Sequence, residues 1–212
     1  PEQRLSVSAF YNKIDNPIEA YVANEGNEFI TSYANAPEAT LYGAEFELQK
    51  YFDLNSWNGF FSGRRAVAVV NYTYTKSKIK VGAGDTIAVP GVANGLASDY
   101  FRDGAPLTGQ SDHIGNVQLG LESTDRLSQQ TLLLTYASKR VISRGANGTP
   151  PQPDVIEKPG LRVDLVFREG VPIGDDREME IKLEARNITG QKHEEYQRSS
   201  TNRIDVNTYD IG

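Results

Sequence analysis

Hydrophobic and polar residues alternate with a period of two along most of this chain, the spacing of a strand with one apolar face. Met179, Ile181, Leu183 and Ala185 alternate with Glu180, Lys182, Glu184 and Arg186. Leu161, Val163, Leu165 and Phe167 alternate with Arg162, Asp164, Val166 and Arg168. The same pattern sets Tyr42, Ala44, Phe46 and Leu48 against Gly43, Glu45, Glu47 and Gln49, and Leu5, Val7, Ala9 and Tyr11 against Ser6, Ser8, Phe10 and Asn12. Val117, Leu119 and Leu121 alternate with Asn116, Gln118, Gly120 and Glu122. The runs 66–75 and 131–136 are less regular, with apolar residues on both faces in places. No window sustains apolar residues three and four apart, and glycine and proline interrupt too often for long helices. The pattern predicts an all-β fold of about seven strands in an antiparallel up-and-down meander.

The spacers between these runs alternate long and short: about 25, a dozen, 35, six, 20 and eight residues in turn. In a meander, such alternation places every long loop at one end of the sheet and every short turn at the other. Outer-membrane barrels have that asymmetry, whereas a soluble sandwich mixes loop lengths between its ends. Tyr11, Tyr42, Tyr72, Tyr74 and Tyr136 fall near the long-loop ends. Tyr51, Phe52, Trp57, Phe60, Phe61 and Phe167 fall toward the short turns, so the two groups form candidate girdles at the two lipid boundaries.

Composition alters this picture mainly by exclusion. The chain has 212 residues, a net charge of -6, no cysteine and a negative mean hydropathy. No stretch reaches the roughly 18 apolar residues of a membrane helix, but a membrane barrel looks soluble on average because half of each strand is polar. Absence of cysteine removes disulfide scaffolds and thiol chemistry. Net acidity argues against nucleic acid as a partner. The chain opens on Pro1-Glu2-Gln3 without an initiator methionine or a signal segment. The expectation is therefore a piece of a longer polypeptide.

Four segments are similar to TonB-dependent outer-membrane receptors: 40–48 (TLYGAEFEL), 71–77 (NYTYTKS), 106–116 (PLTGQSDHIGN) and 183–190 (LEARNITG) followed by Tyr196. The resemblance implies the C-terminal portion of a 22-stranded barrel that holds an N-terminal plug. It implies location in the bacterial outer membrane, contact with outer-membrane lipid, and import of a scarce ligand with energy delivered by TonB. Iron–siderophore complexes, cobalamin and oligosaccharides are the ligand classes. On this reading residues 1–212 lack the plug, the TonB box and the last strand.

Several local patterns suggest chemistry and have plainer explanations. Ser111-Asp112-His113 contains the residue types of a hydrolytic triad, but neighbours on an extended segment point to opposite faces, so they do not converge. His193-Glu194-Glu195 offers one histidine where a metal needs three or four converging ligands. The stretch from Gly82 to Thr86 has no following GK[ST] signature or helix and reads as a loop tip. Asn71, Asn147 and Asn187 begin glycosylation sequons that carry meaning only in a secreted eukaryotic protein. No motif calls for a cofactor or a metal, and none supplies a catalytic constellation.

Two residue sets remain as site candidates. Glu45, Glu47, Arg162, Asp164, Arg168, Glu180, Lys182, Glu184 and Arg186 share the polar face. In a barrel they would line the lumen and meet the plug, and their mixed signs favour ion pairs over a selective filter. The long loop 76–110 carries Tyr100, Phe101, Arg102 and Asp103, an aromatic platform with charged neighbours that suits a sugar or an anionic chelate. The loop 138–159 adds Lys139, Arg140, Arg144 and Gln152. The alternative to transport is a soluble β-sandwich or jelly roll that binds carbohydrate, with the same apolar face turned inward against a second sheet. A barrel enzyme is a third reading and lacks a nucleophile.

Overall fold

The computed structural model describes residues 3–25, 28–124, 126–145, 151–174 and 177–211. In chain order its strands are β1 (Gln3–Asp15), β2 (Ile18–Glu25), β3 (Glu28–Asn35), β4 (Glu38–Asp53), β5 (Arg64–Lys80), β6 (Thr86–Val89), β7 (Val92–Leu96), β8 (His113–Ser123), β9 (Ser128–Ala137), β10 (Arg140–Ser143), β11 (Val155–Glu157), β12 (Gly160–Pro172), β13 (Glu178–Ala185), β14 (Lys192–Arg198) and β15 (Arg203–Asp210). There is no α-helix among the described residues.

Seven strands form one antiparallel sheet in the order β1-β4-β5-β8-β9-β12-β13. These are the seven read from the alternation, and the sheet is the expected meander. Register explains why it holds together. Leu5 stands opposite Leu48, Leu48 opposite Val70, Val70 opposite Val117, Val117 opposite Leu134, and Leu134 opposite Val163. Directly opposed residues share a face, so every strand's apolar set falls on the same side. A slip of one residue in any pair would turn that strand's apolar set to the other face.

That apolar side is uncovered. Val7 is 72% exposed, Leu183 62% and Leu119 47%. A soluble sandwich would bury these positions against a second sheet, and no sheet of the described residues lies on them. The turns at 54–63, 124–127 and 173–177 are short and lie at one end of the sheet, while the connections 16–37, 81–112 and 138–159 are long and lie at the other. Tyr11 opposes Tyr42 near the long-loop end. At the other end Trp57 and Phe60 both meet Phe61 edge-on at 5.5 Å, and the Arg64 guanidinium lies 4.1 Å over the Phe60 ring.

Some expectations change. Tyr51 stands opposite Val67 on the polar face, where its hydroxyl accepts a hydrogen bond from Gln49. It is therefore not part of the apolar-face girdle, because strand parity separates it from its neighbour Phe52. The loop expected from residue 76 begins at 81, since β5 runs on to Lys80. In that extension Thr75, Ser77 and Ile79 are buried on one side, which keeps Lys76, Lys78 and Lys80 on the other. The remaining eight strands lie within the long connections or beyond β13. They escaped the pattern because short loop strands do not alternate cleanly. Of the sequons, Asn147 lies outside the described residues. Asn71 is within β5, and the Asn187 side chain donates to the Gln191 and Ile211 carbonyls.

Gly43 explains the one aromatic that breaks the polar pattern of β1. Phe10 stands opposite Gly43, and a Cβ added there would sit 2.7 Å from the Phe10 ring and on top of the Tyr74 carbonyl oxygen. Gly43→Ala is expected to destabilise the sheet by about 1–3 kcal/mol through overpacking. Urea unfolding of the variant checks this, and an unchanged midpoint would show that β4 and β5 can separate without cost.

Candidate functional site

The chemistry-bearing residues gather above the sheet, where the long connections form a second tier. Strands β10, β11, β14 and β15 pair in that order. Each of the first three adjoins a strand of the main sheet: β10 follows β9, β11 precedes β12, and β14 follows β13. The β2–β3 hairpin joins this tier through a parallel bridge between Tyr21 and Arg144. Val22 donates to the Arg144 carbonyl at 2.7 Å, and Arg144 donates to the Ala20 carbonyl at 2.9 Å. The result is a wall ordered β3-β2-β10-β11-β14-β15.

The hydrophobic core lies in these loops and not on the apolar face of the sheet. Tyr21, Ala34, Ala36, Ile79, Ile87, Val89, Ala97 and Phe101 form it. Tyr21 meets Tyr100 edge-on at 5.3 Å and Phe101 at 6.5 Å. The Phe101 amide is held on the Ala97 carbonyl at 2.8 Å, and Gly104 and Ile79 tie the loop back to β5. The loop containing β6 and β7 is thereby packed down as a cap.

A buried ion network joins the three connections. Arg144 and Glu19 are each 1% exposed, with guanidinium and carboxylate 3.2 Å apart. Arg144 also reaches Asp154 at 3.3 Å, and Arg102 adds a second cation to Asp154 at 2.5 Å. The Thr108 amide donates to both Glu19 oxygens. Burial pushes the Glu19 carboxyl above its ordinary value, opposed by the Thr108 amide and the Arg144 guanidinium. Glu19 comes from the loop 16–37, Thr108 and Arg102 from 81–112, and Arg144 and Asp154 from 138–159.

Behind the wall is a cavity of about 800 Å³. Phe29 and Tyr33 from β3, Ile142 from β10, Val155 from β11, and Ile204 and Val206 from β15 supply much of its apolar lining. Its polar groups include Ser143, Gln197 and Glu195. The Ser143 hydroxyl is buried and has no hydrogen-bond partner among the described residues.

The polar face of the main sheet carries paired charges. Arg168 meets Glu180 at 2.7 Å, Arg162 meets Asp164 at 3.0 Å, and Arg186 meets Glu184 at 2.8 Å. Lys182 also pairs with Glu184, Arg4 with Glu47, and Ser8 donates to Glu45. Every described charged residue of the polar-face set thus has a charged or hydroxyl partner. At the short-turn end the same face has a depression of about 270 Å³ lined by Tyr51, Arg65, Gln118 and Glu122.

The profile of the family described as TonB dependent receptor-like, β-barrel, matches residues 2–166. This chain belongs to that family. No curated protein and no solved structure matches it. The TonB-dependent receptor barrel is a protein of the bacterial outer membrane, and the exposed apolar face is accordingly its lipid face. The sheet is part of a larger barrel, since β1 and β13 each pair on one side only and open edges are not tolerated in lipid. The family acts in transport and reception, with plug, TonB and ligand as its general partners.

In this TonB-dependent receptor barrel the loop residues singled out from sequence are placed apart. Phe101 is 1% exposed in the loop core, and Tyr100 is half-buried beside it. The Arg102 and Arg144 guanidinium groups are occupied by the ion network. Asp103 accepts the Val81 amide, and Arg140 pairs with Glu157 at 2.7 Å. Lys139 is exposed, and only Gln152 of the two loop sets lines the cavity. Sequence reasoning missed the cavity, because its lining comes from six short strands and no contiguous segment signals it.

The other tempting patterns disperse. The Ser111 hydroxyl donates to the Ser138 carbonyl, Asp112 pairs with Lys76, and His113 shares a 2.7 Å hydrogen bond with the Tyr72 hydroxyl. His193 stacks on Tyr209 at 4.5 Å and contacts Glu195 at 2.8 Å. No cluster suited to a metal ion occurs among the described residues. Gly82 and Asp85 close a turn on one another, with the Gly82 amide on the Asp85 carboxylate at 2.7 Å.

Proposed function

We propose that residues 1–212 are the C-terminal portion of the barrel of an active transporter that imports a scarce ligand with energy supplied through TonB. The ligand belongs to the siderophore-iron, cobalamin or oligosaccharide classes. The observation that carries this reading is the two-sided sheet: one face uniformly apolar and uncovered, the other lined by paired charges. A lumen filled by a plug needs a surface that holds without binding irreversibly, and exposed ion pairs of roughly 0–1 kcal/mol each give that. Glu45, Glu47, Arg162, Asp164, Arg168, Glu180, Lys182, Glu184 and Arg186 are the plug-facing residues on this reading. Tyr100, Phe101, Arg102, Asp103, Arg140 and Arg144 act on the ligand indirectly, by fixing the loops that surround it.

Deletion of the full-length gene tests the proposal. Uptake of the cargo is expected to fall to background in the deletion strain and equally in a strain lacking TonB. Uptake that persists without TonB would reduce the protein to a passive channel. The same protein is expected to change its gel mobility on boiling, as closed barrels do, and a freely soluble monomer would end the barrel reading.

A further inference from the structure

The second-tier cavity has a charge character that narrows the cargo. None of the described residues lining it is a lysine or arginine. Most of the wall's cations are spent elsewhere: Arg144 on Glu19 and Asp154, Arg140 on Glu157, Arg203 on Glu194 and Asp205, and Lys192 on Asp210, while Arg198 is exposed at the end of β14 and is not among the lining residues. Among the described lining residues the one charged group is the Glu195 carboxylate. An anionic chelate entering here would meet like charge and lose its hydration with no cation to compensate. An oligosaccharide would bring a dense set of hydroxyls to a lining that is mostly aliphatic and aromatic.

We propose that this cavity is the cargo subsite and that it takes a neutral or cationic, largely apolar molecule of drug-like size carrying at least one hydrogen-bond donor or acceptor. The volume of about 800 Å³ is within the range that buries such a ligand. The Ser143 hydroxyl, 4% exposed and unpartnered, is the polar anchor. A buried hydroxyl without a partner is costly, so a ligand group that satisfies it gains specificity as well as affinity. Phe29 and Tyr33 on β3 form the aromatic rim, 66% and 64% exposed and available to close over an apolar body. This assignment rests on the transporter reading and deepens it.

Calorimetric titration of the purified full-length receptor tests it with three probes: a neutral ferric trihydroxamate, the trianionic ferric tris-catecholate of similar size, and a linear neutral hexasaccharide. The trihydroxamate is expected to bind at least about tenfold more tightly than either other probe, a difference of about 1.4 kcal/mol. Ser143→Ala and Phe29→Ala are each expected to weaken it several-fold. Ile204→Arg, at an exposed rim position, is expected to narrow the gap between neutral and anionic chelates. Preference for the tris-catecholate or the hexasaccharide would overturn the assignment. So would indifference to all three substitutions, which would mean that another segment fills the cavity. TonB-dependent uptake of some other cargo alongside failure of these titrations would sink the cargo class and leave the transporter standing. Loss of TonB dependence for every cargo would do the reverse.

Discussion

Replacing Arg144 by methionine will release the loop cap from the wall while leaving the seven-stranded sheet intact. The substitution keeps the volume but strands two carboxylates. Glu19 is buried with Thr108 but no cation left to hold it, and Asp154 keeps Arg102 and the Gly145 amide. Removing one partner of a buried pair costs about 3–5 kcal/mol, because an uncompensated charge is left behind. Backbone hydrogen exchange is the measurement. Protection should fall in 16–37, 81–112 and 138–159 together, since the network draws members from all three, and should hold in β5, β8 and β9. Unchanged exchange in the three loops would show that the hydrophobic core around Tyr21 and Phe101 suffices to pin them.

The pH dependence of that variant has a definite sign. Burial already raises the Glu19 carboxyl, and loss of the guanidinium removes the one cation pulling it down and leaves Thr108. A carboxyl whose folded-state value is raised stabilises the fold below its unfolded value, and this is lost as pH rises through the folded one. The Arg144→Met cap is therefore expected to be tightest in acid and to loosen as pH climbs above the ordinary glutamate range. Adding Glu19→Gln should remove this dependence and restore part of the protection. Additive losses in the double variant would argue against coupling between the two side chains.

Leu119→Arg will block insertion, and Gln118→Arg beside it will not. Leu119 stands midway along β8, opposite Ala68 and Leu132 on the lipid face. An arginine near the bilayer midplane of a barrel costs about 2–4 kcal/mol. Gln118 points to the other face, opposite Val69 and Leu133, where Glu122 and Arg65 are neighbours in the polar depression. A change there should stay within about 0.5 kcal/mol. The heat-modifiable fraction after refolding into bilayers reports both. Equal losses at the two positions would contradict the assignment of faces, because a residue shift of one reverses them.

Much of this could be read in the chain, and the limits have physical causes. Leu161 to Phe167 and Met179 to Ala185 alternate so regularly that strand, face and order follow from the residues. Loop lengths then fixed which end of the sheet carries the long connections. Tyr51 was misplaced because an aromatic next to another aromatic gives no parity signal by itself. Register against Val67 settles it. Arg144 and Phe101 looked like exposed loop chemistry, since nothing local marks a loop residue as buried when it packs on Glu19, 125 positions away, or on Tyr21, in another connection.

The sequence by itself determined the all-β class, the seven strands of the sheet, the apolar and polar faces, and the family. These depend on period and on local spacing, which a linear chain carries. Only the tertiary structure decided that the hydrophobic core lies in the loops, that Glu19 meets Arg144, that Phe10 covers Gly43, and that six short strands line a cavity with no cation among its described lining residues. Each of these is a contact between segments distant in sequence. Its energy comes from excluding water and pairing charge across that distance, and no single stretch of the chain records it.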